Sequence, residues 1–407
     1  MTDAVFAPTH KPIDAKEVSV PEKPGLKRET SLTLANWQEA PHNRWAFAHV
    51  DEIVPTVTIR RQTEPRNGTR PATSLPSDLD QKVPGLATFL DDSFTDAFIV
   101  VRNDEIVYER YFGGFAATDR HLLMSVSKSL CGLTIGRLVG RGLLDPRQTV
   151  AHYVPELAAS AYGDATVQQV LDMTVAVEYN EDYQDPSSQV QAQDRVAGWR
   201  PRLSNDPADT YDFLTTLRKS GQHGERFQYC SAGTDVLAWV VESVTARRYS
   251  DVLATEIWSL LGCDDDAIIT VDHGGFAFAN GGVACTARDL TRLGRLMLTS
   301  GELDGTQIVP SAWVTDTIRG GDPIAAKGSV YQRVHANGSY RNQWWVTGNN
   351  RGSFYAAGIH GQFIWVDPPS GTVIVKFSSW PEPITEAWSR SHAKAFLSVG
   401  EALTQPF

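Results

Sequence analysis

Met124-Ser125-Val126-Ser127-Lys128 opens the stretch that organises the fold, and an apolar pattern follows it as far as Gly142. Leucines recur at helical spacing in this stretch, at positions 130, 133, 138 and 143. The pattern predicts a helix from Ser125 to Gly142. Ser125 and Lys128 are three residues apart, so we expect their side chains on one helix face. A hydroxyl in the first turn lies where backbone N–H groups favour a developing negative charge. A lysine beside it can act as a base if burial lowers its pKa.

Strand patterns lie on both sides of this helix. Ala97 to Tyr111 predicts a hairpin with its turn at Asn103-Asp104. Helical patterns dominate from about 150 to 265, and a final helix is predicted over about 384–403. Between them come three apolar, aromatic runs, at 355–359, 363–367 and 372–377. We therefore predict an α/β fold of the α+β kind, in which both ends of the chain build one antiparallel sheet flanked by helices.

This order of elements also predicts the domain organisation. Residues 1–35 form an N-terminal arm, and residues 36–145 and 270–407 together form an α/β domain. Residues 146–269 form an inserted, mostly helical domain that carries a long polar lid loop at 178–205.

Composition argues against several classes of protein. Asp and Glu number 48 against 37 Lys and Arg, a net charge of −11, and the basic residues are scattered. We therefore expect no nucleic-acid partner. No secretory signal pattern and no uncharged apolar run of about 18 residues is found, so no membrane association is expected. The four cysteines lie far apart without a C-x-x-C pair. Free buried thiols and a cytoplasmic location are predicted.

Two further motifs bear on chemistry. Tyr229-Cys230-Ser231 begins a predicted helix, where Tyr229 could pass a proton to a leaving group with Ser231 as relay. The alternative is a core tyrosine followed by a capping serine. Gly358-Ile359-His360-Gly361 lies in a strand pattern, and paired glycines there indicate either close approach to a substrate or a bulge. Ser-x-x-Lys alone is a weak signal, because Ser391 to Lys394 repeats it on a helix face predicted to be solvated.

The order of the motifs is more specific than any one of them. Ser-x-x-Lys, then Tyr-x-Ser about a hundred residues on, then His-Gly on a late strand resembles the penicillin-recognising serine hydrolases. That superfamily comprises class C β-lactamases, DD-peptidases and related esterases. The resemblance implies a β-lactamase/DD-peptidase-like fold, with the nucleophile between a helical domain and the sheet.

Longer runs are similar to the 6-aminohexanoate-dimer hydrolases, nylon-oligomer enzymes of the same superfamily. The similarity spans roughly residues 35 to 400. The runs that carry it are Trp37 to His49, His121 to Gly132, Tyr179 to Tyr183, Asp206 to Thr216, Phe227 to Trp239, Phe278 to Leu290 and Gln343 to Trp345.

This resemblance implies a role for each matching residue. Ser125 attacks the carbonyl, Lys128 takes its proton, Tyr229 assists proton transfer to the leaving amine, and the N–H groups of Ser125 and Ile359 form the oxyanion hole. The implied substrate-binding residues are Tyr183 on the lid, Asp194 at an ammonium end, Asn280, Trp345 along an aliphatic chain, Ser231 and His360.

The implied activity is hydrolysis of linear 6-aminohexanoate dimer and short oligomers, with side activity on short-chain esters. No metal or cofactor is expected, the only expected ligand is a small amide or ester, and a homodimer stays open. Ile384 and Ser389 depart from the relatives, which carry acidic or aromatic and histidine residues there. The rate on the dimer is therefore open. A general carboxylesterase, a β-lactamase-like hydrolase and a non-catalytic penicillin-binding module remain as alternatives.

Overall fold

The computed structural model of the protein describes residues 31–62, 70–71, 78–323, 325–326 and 333–404. Most of the predicted N-terminal arm, residues 1–30, lies outside the described residues. The strands are β1 Thr56–Ile59, β2 Arg70–Pro71, β3 Thr95–Arg102, β4 Glu105–Tyr111, β5 His121–Leu122, β6 Ala267–Thr270, β7 Val283–Cys285, β8 Glu302–Leu303, β9 Thr306–Gln307, β10 Ser339–Arg341, β11 Trp344–Val346, β12 Phe354–Gly358, β13 Gln362–Asp367 and β14 Thr372–Ser378.

Helices lie before, between and after these strands. The α-helices are α1 His42–Ala48, α2 Leu79–Lys82, α3 Leu86–Asp92, α4 Val126–Gly140, α5 Val150–Tyr153, α6 Val167–Leu171, α7 Gln189–Val196, α8 Thr210–Thr216, α9 Ser231–Thr245, α10 Tyr249–Glu256, α11 Ala287–Leu298, α12 Ser311–Arg319 and α13 Glu386–Thr404. Short 3-10 helices are Val50–Glu52, Pro155–Leu157, Trp258–Leu260 and Pro368–Ser370.

The larger sheet takes its strands from both ends of the chain. Within the described residues its order is β10-β11-β12-β13-β14-β3-β4-β2. Neighbouring strands are antiparallel, except that β2 runs parallel to β4. β14 pairs with β3, so the last described strand lies beside one of the first. Helices α3, α11 and α13 contact this sheet. The predicted antiparallel sheet flanked by helices is confirmed.

The predicted hairpin is β3 and β4. Asn103 and Asp104 occupy its turn with φ of +48° and +71°. Two successive left-handed residues are typical of a tight hairpin turn, and asparagine and aspartate tolerate that conformation better than other side chains. Most residues of β3 are buried, because α11 and other helices cover the sheet around it.

Helix α4 is buried along most of its length. It contacts α9 and α10 and also strands β11, β12 and β13. A helix surrounded by other elements needs apolar residues on every face, which explains the nearly continuous run of buried residues from Val126 to Gly136. The residues at its N-terminus therefore lie between the helices and the sheet.

A second sheet, of order β1-β6-β7-β5, was not predicted. Its strands have two to four residues, too few for an alternating pattern to stand out. It has a direct bearing on the site, because β5 ends two residues before Met124. The Leu123 N–H donates to the Val283 carbonyl at 2.8 Å, and Met124 then takes φ +49°. A methionine is rarely found in this left-handed conformation.

The prediction of a continuous lid loop over residues 178–205 was wrong in one respect. Residues 189–196 form helix α7, and the Ser188 hydroxyl accepts a hydrogen bond from the Gln191 N–H at its start. The segment has few apolar residues, which concealed the helical period. Asp194 consequently lies on a helix and not on a loop.

Two predictions from composition can be compared with the fold. All four cysteines are unpaired and buried, as expected. Among the described helices, none is both long enough and apolar enough to cross a membrane.

Candidate active site

Ser125 and Lys128 lie side by side at the start of α4. Ser125 is the residue before the first helical residue, and the Lys128 Nζ atom lies 2.9 Å from its Oγ atom. Lys128 also donates a hydrogen bond of 2.8 Å to the Asn280 carbonyl. The lysine is 1% exposed, whereas Ser125 is only half-buried. A hydroxyl that a ligand can reach is thus paired with an amine shielded from water.

Burial controls the charge of this lysine. Desolvation lowers the pKa of Lys128 to about 8, against the opposing charges of Glu181, Asp235 and Asp194. Loss of hydration disfavours the ammonium form more than these partners restore it. A lysine with this pKa is neutral in a substantial fraction of molecules near pH 8, and a neutral amine can accept the Ser125 proton.

Tyr229 forms one wall of the site. The Lys128 Nζ atom lies 5.3 Å from the centre of its ring. The Tyr229 ring also stacks on Trp345, with ring centres 5.7 Å apart and an interplanar angle of 12°. Trp345 is buried and also contacts Tyr340, with ring centres 4.6 Å apart. These aromatic rings offer an apolar surface beside the reactive pair. A shallow, open pocket lies beside Trp345 and is lined also by Phe227 and Tyr355.

Glu181 connects two of the site residues, Ser231 and Tyr183, and was missed from the sequence. Its Oε1 atom accepts hydrogen bonds from Ser231 Oγ at 2.5 Å and from the Tyr183 hydroxyl at 2.7 Å. Its Oε2 atom accepts from the Ser231 N–H at 3.0 Å. The carboxylate thus binds the first residue of α9, next to the dipole of that helix, which favours a negative charge. In the sequence it is one of several acids in a polar segment, so no local pattern distinguishes it.

Close approach of two backbones forms a candidate oxyanion hole. A β-carbon added to Gly358 would lie 2.5 Å from the Leu123 carbonyl oxygen and 3.0 Å from the Ser125 nitrogen. Only glycine therefore lets β12 lie against the start of α4. Among the described residues, none accepts a hydrogen bond from the N–H of Ser125 or of Ile359. Two N–H groups without acceptors beside a nucleophile suit a tetrahedral oxyanion.

Asp194 lies on α7, in the predicted lid segment, and forms an ion pair with Arg200. It is 6% exposed, and its Oδ2 atom accepts a hydrogen bond of 3.2 Å from Arg200 Nε. Desolvation raises the pKa of Asp194 to about 6, although the Arg200 charge lowers it. An ammonium group bound here would share this carboxylate with Arg200.

Asn280 has both its backbone and its side chain fixed by Asp235, the second residue missed from the sequence. Asp235 accepts hydrogen bonds from Asn280 N at 3.1 Å and Nδ2 at 2.7 Å. Asn280 is 5% exposed, and its carbonyl contacts Lys128. The sequence offered one signal for Asp235, namely an acidic residue in the otherwise apolar pattern that includes Val236 and Leu237 of α9.

Four other positions lie apart from this network. The His360 ring is 2% exposed, contacts the Trp380 carbonyl at 2.7 Å and packs on Phe47, an arrangement that stabilises the loop after β12. Ile384 is exposed, and the Ser389 hydroxyl donates to the carbonyl of Thr385, the residue before the last helix. In the second Ser-x-x-Lys, Lys394 is exposed.

The arrangement suits acyl transfer at Ser125. It combines a hydroxyl nucleophile, a buried amine, a phenol and two N–H donors in one place. Within the described residues, no group of three or more His, Cys, Asp or Glu side chains could hold a metal ion.

Known proteins share this sequence and architecture. The β-lactamase family model matches residues 61–397. The 6-aminohexanoate-dimer hydrolase of Paenarthrobacter ureafaciens is 52% identical over 371 residues, which cover 91% of this chain and 94% of that protein.

Solved structures agree with this assignment. A Bacillus anthracis protein provisionally described as a 6-aminohexanoate-dimer hydrolase superposes with a TM-score of 0.82 and 31% identity, covering 93% of this chain and 98% of its own. A penicillin-binding protein homologue from Caulobacter crescentus, 18% identical, superposes with a TM-score of 0.58 over 80% of this chain and 99% of its own, and so shares the fold. The chain therefore belongs to the β-lactamase family of hydrolases.

Proposed function

We propose that the protein cleaves the amide bond of linear 6-aminohexanoate dimer and short oligomers through an acyl-enzyme on Ser125, and that it also cleaves short-chain esters. The observation that carries the proposal is the buried Lys128 amine 2.9 Å from the Ser125 hydroxyl. A serine activated by an adjacent base performs acyl transfer. The name of the Paenarthrobacter relative supplies the substrate class.

The first half of the reaction forms the acyl-enzyme. Lys128 takes the hydroxyl proton as Ser125 attacks the amide carbonyl, and the N–H groups of Ser125 and Ile359 bind the resulting oxyanion. The amide C–N bond then breaks as the proton passes from Lys128, with the help of Tyr229, to the leaving nitrogen. The amine leaves, and the 6-aminohexanoyl group remains as an ester on Ser125.

The second half releases the acid by the same steps in reverse. Lys128 takes a proton from water, the hydroxide adds to the acyl carbon, and the tetrahedral intermediate collapses with return of the proton to Ser125. The cationic end of the substrate lies at Asp194, and its methylene chain packs along Trp345. Esters react by the same route, with less need of Tyr229, because an alkoxide leaving group requires less proton assistance than an amine.

The test compares amide with ester hydrolysis. Wild-type protein should release a new primary amine from the linear dimer, and Ser125→Ala should release none. Tyr183→Phe keeps the ring but loses the hydroxyl that binds Glu181. We expect it to lower amide turnover by about 10- to 100-fold and to retain most of the ester turnover. Ester cleavage without amine release in the wild type would refute the amidase.

Asp194→Ala provides a second, independent test of the proposed substrate. It should raise KM for the dimer about tenfold or more, since hydrogen bonds to charged groups contribute about 1.5–3 kcal/mol. A p-nitrophenyl ester without an ammonium group supplies the control, because its KM should hardly change. Equal losses on both substrates would contradict a role for Asp194 in binding the ammonium end.

One observation favours a second candidate, a general carboxylesterase. Arg200 already pairs with Asp194, so the site for a cationic substrate end is partly neutralised before any ligand binds. An enzyme that prefers uncharged esters would cleave short p-nitrophenyl esters well and leave the dimer intact. Intact-mass spectrometry in the same assay also detects a module that acylates without turnover, because a permanent adduct would remain on Ser125.

A further inference from the structure

Asp235 is a fully buried carboxylate on α9, one turn after Ser231. Its donors are Asn280 N, Asn280 Nδ2 and Gln193 Nε2, the last at 2.6 Å. Within the described part of the chain, no cationic side chain forms an ion pair with it. A buried carboxylate held only by neutral donors is costly to the fold. Such a group therefore calls for an explanation beyond packing.

Asp235 is connected to Lys128 through one intervening residue, Asn280. Asp235 binds both the backbone and the side chain of Asn280, which fixes the orientation of this residue. The Asn280 carbonyl in turn accepts the hydrogen bond from Lys128 Nζ at 2.8 Å. A neutral amine has two N–H groups and one lone pair. When one N–H is bound to Asn280, the lone pair is free to point at Ser125.

The same carboxylate reaches the lid helix. Gln193 lies on α7 beside Asp194, and its Oε1 atom accepts a hydrogen bond from the Tyr179 hydroxyl while its Nε2 atom donates to Asp235. The amide is thus bound at both ends, and it is 1% exposed. A single carboxylate therefore contacts the segment that orients the base and the helix that carries the proposed ammonium site.

We infer that Asp235 is a positioning residue of the reaction: it holds the Asn280 carbonyl where this carbonyl directs the Lys128 amine at Ser125, and through Gln193 it fixes α7 relative to the base. The inference rests on the proposed function, since it assumes that Lys128 activates Ser125. Effective acyl transfer requires such fixed geometry, because a small displacement of reacting groups lowers the rate steeply.

The charge of Asp235 gives a readout that a purely structural role would not change. Burial raises the pKa of Asp235 to about 7, so the group is mostly ionised near pH 8, where Lys128 loses its proton. The negative charge of Asp235 favours the ammonium form of Lys128 there, so its removal should lower the pKa of the lysine further. The other ionisable groups that act on Lys128 or Asp235, and that stay in place, are Glu181, Asp194, Cys230, Cys131, Tyr162 and Tyr249.

The experiment uses Asp235→Asn in the full chain and follows phosphonylation of Ser125 by a fluorophosphonate from pH 5 to 10. We expect the phosphonylation rate at the high-pH plateau to fall about tenfold or more, because the Lys128 amine is no longer oriented toward Ser125. We also expect the midpoint of the rise with pH to move about one unit lower. A wild-type rate together with a wild-type midpoint would overturn the inference. This assay does not use the dimer, so its result can be interpreted even if the protein does not cleave the dimer.

Asp289→Asn is the matched control. Asp289 is also a buried carboxylate and accepts hydrogen bonds from neutral donors, among them Asp264 N and Thr286 Oγ1. It differs from Asp235 in that Arg292 Nε lies 3.7 Å away, and it is remote from the site, at the start of α11. This variant should lower stability and leave both the rate and the midpoint unchanged. An equal change in the control would mean that any lost buried carboxylate disturbs the site, and would overturn the inference.

Asn280→Ala keeps the test decisive if Asp235→Asn does not fold. It removes one of the two bonds from Asn280 to Asp235, so phosphonylation should slow together with amide turnover. A fall in amide turnover alone, with wild-type phosphonylation, would mean that Asn280 acts only on the substrate. That result would overturn the positioning role of Asp235.

Discussion

In the proposed mechanism, Ser125 reacts only in molecules where the Lys128 amine carries no proton, and burial of the lysine determines the fraction of such molecules. The pKa of about 8 leaves most of the lysine charged at pH 6 and most of it neutral at pH 9. The nearby carboxylates oppose this effect, so the reactive state reflects a balance between desolvation and charge. A residue-level prediction about pH follows from that balance.

We expect kcat/KM for a p-nitrophenyl ester to rise with pH and to level off above about 8. The rate should rise because the proposed mechanism requires the deprotonated lysine, and the deprotonated fraction increases with pH. Lys128→Arg provides the control, because a guanidinium keeps its proton throughout this range. Its rate should be lower by about 10²- to 10⁴-fold, without the rise. A flat wild-type profile in stopped-flow assays from pH 6 to 9.5 would contradict the role of Lys128.

At this scale the sequence predicted residues whose motifs lie in the local chain. Ser125 and Lys128 share one helical turn, and Tyr229 lies two residues before Ser231, so their spacing is visible in the sequence. Glu181 and Asp235 act through partners 50 and 45 residues away. No local spacing records such pairings, because they depend on how α9 packs against other segments.

At the scale of elements, the site depends on the contact between β12 and the start of α4. Gly358→Ala would place a β-carbon 2.5 Å from the Leu123 carbonyl oxygen, and a backbone atom in a paired strand cannot move aside easily. We expect the strand to shift and the oxyanion hole to widen. Loss of one oxyanion donor costs about 10²- to 10³-fold in kcat, so we expect a fall of at least about 10-fold.

Gly221→Ala is the control for this change. The nearest atom to its added β-carbon would be Ala176 Cβ at 3.7 Å, which is an ordinary contact. Both variants should fold, as judged by circular dichroism, and only Gly358→Ala should lose activity. Full activity in Gly358→Ala would show that Ile359 N–H does not help to bind the oxyanion.

A second contact between elements should affect stability alone. Gly294 lies on α11, where a β-carbon would come within 2.3 Å of Val373 Cγ1 and 3.0 Å of Ile364 Cγ2 in the sheet. Alanine is favoured over glycine in a helix by about 1 kcal/mol, but overpacking costs about 1–3 kcal/mol. The branched side chains cannot rotate away, so we expect Gly294→Ala to lower the free energy of unfolding in urea. A more stable variant would contradict this packing.

The elements found from the sequence are the ones long enough to show a period. The helix predicted at Tyr229-Cys230-Ser231 is α9, which begins at Ser231, and the turn of the β3–β4 hairpin follows from Asn103-Asp104. Strands β5 and β7 have two and three residues, and α7 has a polar composition. Their structure comes from partners distant in sequence, so the pattern of one segment could not predict it.

Across the whole molecule, the sheet pairs an early strand, β3, with the last described strand, β14, and buries a lysine amine where they meet. Lys376 lies on β14 and is fully buried, next to β3. Its Nζ atom donates to the Ser93 carbonyl at 3.3 Å and also contacts the Ser378 hydroxyl. Asp96, Arg44 and His392 are the ionisable groups around it. Burial outweighs the attraction of Asp96 and lowers the pKa of Lys376 well below its ordinary value.

This lysine should make the stability of the whole protein depend on pH. In the unfolded chain Lys376 keeps its proton up to about pH 10.4, whereas in the fold it loses the proton at a lower pH. Between those two pKa values the unfolded state binds more protons, so the free energy of unfolding rises with pH. Lys376→Met has a similar length and no charge, and we expect a smaller rise from pH 6 to 9 in urea titrations. Lys128 remains in both proteins, so the difference between their slopes isolates Lys376. Equal slopes would mean that Lys376 is charged in the folded protein, paired with Asp96 across the junction of β14 and β3.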